Sequence, residues 1–178
     1  MGRYVEITLI RRPTIDDWML VKECALVTVG KAAKTEPDEE WKRRILRARH
    51  SPIRELKFVF LLDGIPSWVA THLSRHHEGV QPYIMSQRND RQKEYDRNAA
   101  RQDAPVRMIW SLNAEGLMNV ANKRLCMQTS EETRGVVQEM CCIAEAAEPA
   151  LSGLLVPMCV YHGGICHEMH PCRRRGDE

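Results

Sequence analysis

Residues 55–77 read ELKFVFLLDGIPSWVATHLSRHH, and the order of elements inside them sets the fold class. Leu56, Phe58, Phe60 and Leu62 recur every second residue, the period of a strand with one buried side. Pro66 then suits the first turn of a short helix ending near His76, because a missing amide costs nothing there. A strand feeding a helix is therefore the central unit, and the rest of the chain is read outward from it.

Upstream, YVEITLI (residues 4–10) alternates apolar with polar and predicts another strand. Thr14 followed by Asp17 has the spacing of a capping box, opening a helix to about Val29. Pro37 fits the first turn of a second helix over roughly 37–49, with Asp38, Glu39 and Glu40 near its positive end. Downstream, residues 79–105 hold glycine, prolines and many charges and read mainly as loop, with room for a short strand at 82–88. From about residue 108 the reading is helical. NAEGLMNVANKRLCMQ (113–128) forms one helix and SEETRGVVQEMCCIAEAA (130–147), capped by Ser130, a longer amphipathic one. Strands interspersed with helices predict an α+β fold in a single domain, 1–178, with an irregular Cys/His-rich tail from about 157 and frayed charged residues at the end.

The totals narrow the function classes. The 178 residues suffice for one sizeable core, and 43% hydrophobic with 28% charged is ordinary globular composition. A formal net charge of only +2 argues against a general nucleic-acid coat, so affinity for anions has to come from local clusters. No apolar run is long enough for a membrane span, and the first residues lack the pattern of a signal peptide. Seven cysteines, an odd number, then predict reduced thiols in a cytoplasmic protein, available for packing, metal binding or redox chemistry.

Two clusters carry the chemistry. On the helix from residue 66, His72, Arg75 and His76 lie at i, i+3 and i+4 and share a face, and the following loop adds His77, Ser86 and Arg88. Guanidinium forks suit phosphate or carboxylate, and imidazoles add switchable donors. The same spacing also fits a solvated basic loop or a histidine metal site. On the helix at 113–128 Asn113, Leu117, Val120 and Arg124 form one stripe. An arginine continuing an apolar stripe either finds a partner or lays its stem on the surface with its head in water. Asn119 falls on a different side, toward another site or another subunit.

In order and spacing, several of these segments resemble the flavin-dependent thymidylate synthases. That family's R-H-R-x-x-S signature, continuing to S-x-R, is matched by Arg75-His76-His77 and then Ser86-Gln87-Arg88. RHSPIRELKFVF is similar to its histidine–proline–strand segment, and IWSLNAEGLMNVANKRLCMQTSEE to its W-T-x-N-A-x-S-L-x-N helix. The match runs over about residues 20–145. Departures are His77 for the second arginine, His72 for a glutamine, Glu115 in the asparagine helix, Gln128 for a flavin-side histidine, and a nearly absent insertion at 89–100.

The resemblance implies a small mixed or antiparallel sheet flanked by helices, and methylation of dUMP to dTMP by FAD with methylenetetrahydrofolate and NADPH as co-substrates. It implies that Arg124 activates the pyrimidine and that His72, Arg75, Ser86, Gln87, Arg88 and Arg101 bind substrate. Thr28, His50, Arg75, His76, His77, Asn113, Asn119 and Gln128 would hold the flavin. A pyrimidine deoxynucleotide is the expected ligand, with no membrane or nucleic-acid partner, in a homotetramer whose sites are shared between subunits. A related pyrimidine nucleotide hydroxymethylase and a non-catalytic flavin- or nucleotide-binding homologue are the alternatives. In the tail, Cys159, Cys166 and Cys172 interleave with His162, His167 and His170. Their spacing fits a weak zinc knuckle or a cluster of reduced thiols. Cys141-Cys142 and Met108, Met118, Met127 and Met140 read as packing.

Overall fold

The computed structural model describes residues 5–92, 96 and 98–172. Tyr4, at the start of the first expected strand, and the charged terminus 173–178 lie outside the described residues.

The sheet is built from β1 (Glu6–Arg11), β2 (Lys57–Pro66), β3 (Val80–Ile84) and β4 (Pro105–Asn113). Their spatial order is β1-β2-β4-β3, with every neighbouring pair antiparallel. The expected period in β2 holds: Phe58, Phe60 and Leu62 are fully buried and face the core. Between Leu62 and Ile65 the register slips at a bulge, where Gly64 adopts the positive φ of 77° that favours glycine.

β4 was not anticipated; its residues were read as the end of a loop followed by helix. Val106, Met108, Trp110 and Leu112 are all buried and alternate with Arg107, Ile109 and Ser111, so the period of two was present. The apolar Ile109 on the open face blurs that alternation into a run, which periodicity alone cannot separate from a helix. β4 pairs on both sides and is a central strand.

The helices are α1 (Ile15–Val27), α2 (Glu39–Arg47), α3 (Ser67–Ser74), α4 (Ala114–Arg124), α5 (Glu131–Ala147) and a short α6 (Met158–Tyr161). The capping box at Thr14 and Asp17 is formed in both directions. α2 starts later than expected: the Asp38 side chain accepts from the Trp41 amide, making Asp38 the cap and leaving Pro37 outside the helix. Ser130 does not cap α5 through its side chain; its hydroxyl donates to Thr133 Oγ1 instead. Buried faces of the helices meet the buried face of the sheet in one core, including Trp18, Leu46, Val69, Leu73, Leu117 and Val137.

One close approach fixes how α4 leaves β4. The Asn113 amide donates to Gly79 O at 2.8 Å, and the Asn113 side chain caps α4 by accepting from the Gly116 amide at 2.8 Å. A Cβ on Gly116 would stand 2.6 Å from Gly79 O, so the segment after α3 rests directly on the first turn of α4. No described helix is long and apolar enough to cross a membrane.

Candidate active site

The close contact at Gly79 and Gly116 brings the C-terminal end of α3 beside α4, and the charged groups of both helices meet there. Arg124, the last residue of α4, donates from Nε to His76 Nε2 and from Nη2 to the His72 carbonyl, each at 2.9 Å. His72 lies in the last turn of α3 and His76 just past its cap Arg75, so one guanidinium bridges the helix end and the segment that follows it. An arginine at the end of an apolar stripe has thus found partners instead of leaving for water.

The electrostatics follow from this geometry. Because Nε2 of His76 accepts from Arg124, the ring is neutral and its proton sits on Nδ1. Burial, the positive charge of Arg124, and His77 and Lys123 push the His76 pKa down to about 4. Burial, then Arg75, lowers the pKa of Arg124 from its ordinary value. The His76 ring lies 6.3 Å from that of Trp110, and the His72 ring stands edge-on to Trp68 at 5.3 Å. His72 Nδ1 also lies 3.4 Å from Thr133 Oγ1 on α5.

Two cavities open around this knot. One, of about 420 Å³, is lined by Arg75, His76, His77, Asn119, Lys123 and Met158, with Glu78 as its one acidic residue. The other, of about 230 Å³, is lined by residues including His72, Lys123, Arg124, Gln128 and Ser130. Lys123 borders both. Three basic side chains, Arg75, Lys123 and Arg124, therefore face adjoining hollows and outnumber the acidic Glu78 and Glu168 on their walls, an arrangement suited to anionic ligands.

Of the residues singled out in the sequence, His72, Arg75, His76, His77, Asn119, Arg124 and Gln128 gather at these cavities. Others lie away from both. Asn113 is engaged as the cap of α4. Thr28 ends α1 and its hydroxyl donates to Ala25 O at 2.7 Å. His50 is exposed ahead of a 3-10 turn at Ser51–Glu55. Ser86, Gln87 and Arg88 follow β3; Ser86 Oγ accepts from the Arg88 amide, and Arg88 pairs with Asp90. Arg101 is exposed and pairs with Asp103. Within one chain these residues do not join the cavities around Arg124.

Sequence reading missed Arg49, Asn122, Lys123 and Met158. Arg49 follows α2 with a positive φ of 49° and reaches Asn119 Oδ1 at 2.8 Å and Asn122 Oδ1. Its guanidinium also sits over the Tyr161 ring at 4.3 Å. Asn122 is buried and donates to Val156 O at 2.7 Å. Lys123 had a local signal, four residues beyond Asn119 and adjacent to Arg124. Arg49 had none, since its partners are 70 residues or more away.

The antiparallel sheet ordered β1-β2-β4-β3, flanked by helices, is an α+β fold shared with two solved structures. The chain superposes on the UMP/dUMP methylase PolB from Streptomyces cacaoi, bound with 5-Br dUMP, with a TM-score of 0.65 and 15% identity, covering 83% of this chain and 93% of that one. It superposes on thymidylate synthase X (ThyX) from Helicobacter pylori, with FAD and dUMP, with a TM-score of 0.64 and 14% identity, covering 84% of this chain and all of that one. The sequence matches no protein-family model and no curated protein.

Proposed function

We propose that this chain is a flavin-dependent enzyme that methylates dUMP to dTMP, with Arg124 as the group that activates the pyrimidine. The observation that carries the reading is the double tether of Arg124 to the end of α3 and the segment that follows it, beside two cation-lined cavities. Support also comes from the fold, shared with a dUMP methylase and with a thymidylate synthase solved with FAD and dUMP.

The residues present fit an anionic dinucleotide cofactor in charge and donor type. Arg75, His77 and Lys123 border the larger cavity, and Asn119 adds a side-chain amide. FAD, when bound and reduced, supplies the hydride, methylenetetrahydrofolate the one-carbon unit and NADPH the recharging electrons.

What the chain itself does is positional and electrostatic. The two bonds made by Nε and Nη2 fix the plane of the Arg124 guanidinium and turn Nη1 away from α3. A pyrimidine carbonyl placed against that nitrogen meets a positive charge just as C5 becomes nucleophilic and charge moves onto the oxygen. Such a preorganised donor is worth about 3 kcal/mol, roughly a hundredfold in rate. His76 serves as a fixed acceptor rather than a proton carrier, because its depressed pKa keeps it neutral at working pH. Ser86, Arg88 and Arg101 are assigned to the nucleotide phosphate, and since they lie away from Arg124 in one chain, a site shared between subunits of a homotetramer would join them to it.

An absorbance spectrum of the purified protein with added FAD, followed by tritium release from C5-labelled dUMP, tests the reading. A protein that takes up no flavin and releases no tritium overturns it. Product mass separates methyl from hydroxymethyl transfer, and flavin binding without turnover on any pyrimidine nucleotide would mark a binding protein.

A further inference from the structure

Four cysteines from three separate segments line one small cavity beside the candidate active site. Cys126 follows the end of α4, Cys159 lies on α6, and Cys166 and Cys172 come from the turns after it; together they border a hollow of about 140 Å³. All seven thiols of the chain are free, and the other three, Cys24, Cys141 and Cys142, lie elsewhere on α1 and α5. The tail cysteines alone offer three ligands at irregular spacing. The fold adds Cys126 as a fourth from a position 33 residues earlier.

A second observation concerns what holds this segment in place. From Met158 to Cys172 no residue is buried, and Val160, Ile165 and Met169 are 50%, 59% and 92% exposed. Such a segment has too little apolar burial to offset its ordering entropy. Polar ties exist: the Gln128 side chain donates to His170 O, and Arg49 stacks on Tyr161. Neither reaches Cys166 or Cys172.

We propose that Cys126, Cys159, Cys166 and Cys172 form a tetrahedral four-thiolate site for a structural zinc ion that clamps the C-terminal segment onto α4. Zinc takes four thiolates at about 2.3 Å in closed structural sites and contributes its binding energy directly to folding. As placed, no group of three or more His, Cys, Asp or Glu side chains among the described residues could hold a metal. Binding therefore requires the four thiols to draw together toward the cavity centre, with each thiol releasing its proton to solvent. Lys123, which also borders the cavity, offsets part of the negative charge of the resulting centre. Met158 borders both this hollow and the larger cavity near His76, so the clamp would also fix one wall of the candidate active site. The zinc site does not depend on flavin binding or on any methylation activity.

The test uses the full chain purified under reducing conditions. Elemental analysis should find one zinc per chain. Replacement by cobalt(II) should give the intense thiolate charge-transfer and visible bands of a tetrahedral sulfur site. Cys126→Ser should weaken zinc binding on the order of 100-fold or more, since even the loss of an outer-shell partner costs roughly 10–100-fold. Cys142→Ser should leave the metal in place, as that thiol is exposed on α5. The proposal is overturned by a wild-type protein that neither carries zinc nor binds added cobalt with sulfur bands. Unchanged zinc affinity in Cys126→Ser, iron in place of zinc, or disulfides between these cysteines in the freshly reduced protein would overturn it too.

Discussion

Arg124 Nε points at His76 Nε2 across 2.9 Å, so a residue that is always cationic uses a histidine as acceptor. That bond exists only while the imidazole is neutral, and protonation would set two positive donors against each other. His76 in the folded protein titrates at about 4, below its ordinary 6.5. Between those values the unfolded chain binds more protons than the folded one, so stability should rise with pH from about 4 to 6.5 and this contribution should level off above. Urea midpoints across this range check it, and His76→Gln, which keeps an acceptor but cannot titrate, should flatten the slope.

Arg124→Ala should lower turnover on dUMP by roughly a hundredfold or more while flavin uptake persists. Arg124→Lys should not restore it, because a single ammonium is not a planar fork able to hold both His76 Nε2 and His72 O. Steady-state rates and a bound-flavin spectrum separate the two effects. Retained turnover in Arg124→Ala would remove the residue from its assigned role.

Gly116→Ala should destabilise the protein by about 1–3 kcal/mol, because the new methyl meets the Gly79 backbone at 2.6 Å and the backbone must move. Gly135→Ala on α5 is the contrast. Its Cβ meets nothing within 4 Å, and the gain in helix propensity should stabilise by about 1 kcal/mol. Denaturant melts of the two variants should therefore shift in opposite directions.

Asn122→Ala removes a buried side chain that accepts from Arg49 and donates to Val156 O. Leaving those groups without it should cost about 1–3 kcal/mol. Hydrogen exchange should show the loss first in residues around Val156 and α6, before the sheet is affected.

Cys141 and Cys142 are adjacent in sequence yet should react at very different rates. Burial pushes the Cys141 thiol up to about 12, with Glu145 and Cys142 adding to it, so little thiolate exists near neutral pH. Cys142 is exposed. Alkylation followed by peptide mass analysis at neutral pH should modify Cys142 and spare Cys141 until the protein unfolds. Equal labelling of the native protein would contradict this placement.

Local physics explains which parts were legible in advance. β2 was readable because Phe58, Phe60 and Leu62 state a period of two without interruption, and α1 because Thr14 and Asp17 close a reciprocal cap within four residues. β4 was missed because Ile109, on the open face, carries the apolar character expected of the buried face. The resemblance assigns Arg124 and the R-H-R segment to one site; in the fold Arg124 meets the 72–76 segment, while Ser86, Gln87 and Arg88 lie away from it. Asn113 illustrates the opposite case: spacing put it on the stripe with Arg124, but an asparagine ahead of a helix is first of all a cap, and its side chain is engaged there.

The amino-acid order alone determined the α+β class, the extents of most helices and the positions of the cationic residues, since propensity, capping and periodicity act over a few neighbours. Only the tertiary structure decided which of those residues share a cavity. Arg49 reaching Asn119 and Asn122, Arg124 locking onto His76, and Cys126 joining the tail thiols all link segments 33 to 73 residues apart. Such pairings are set by how the buried faces of the sheet and helices pack, and no local pattern in the chain encodes them.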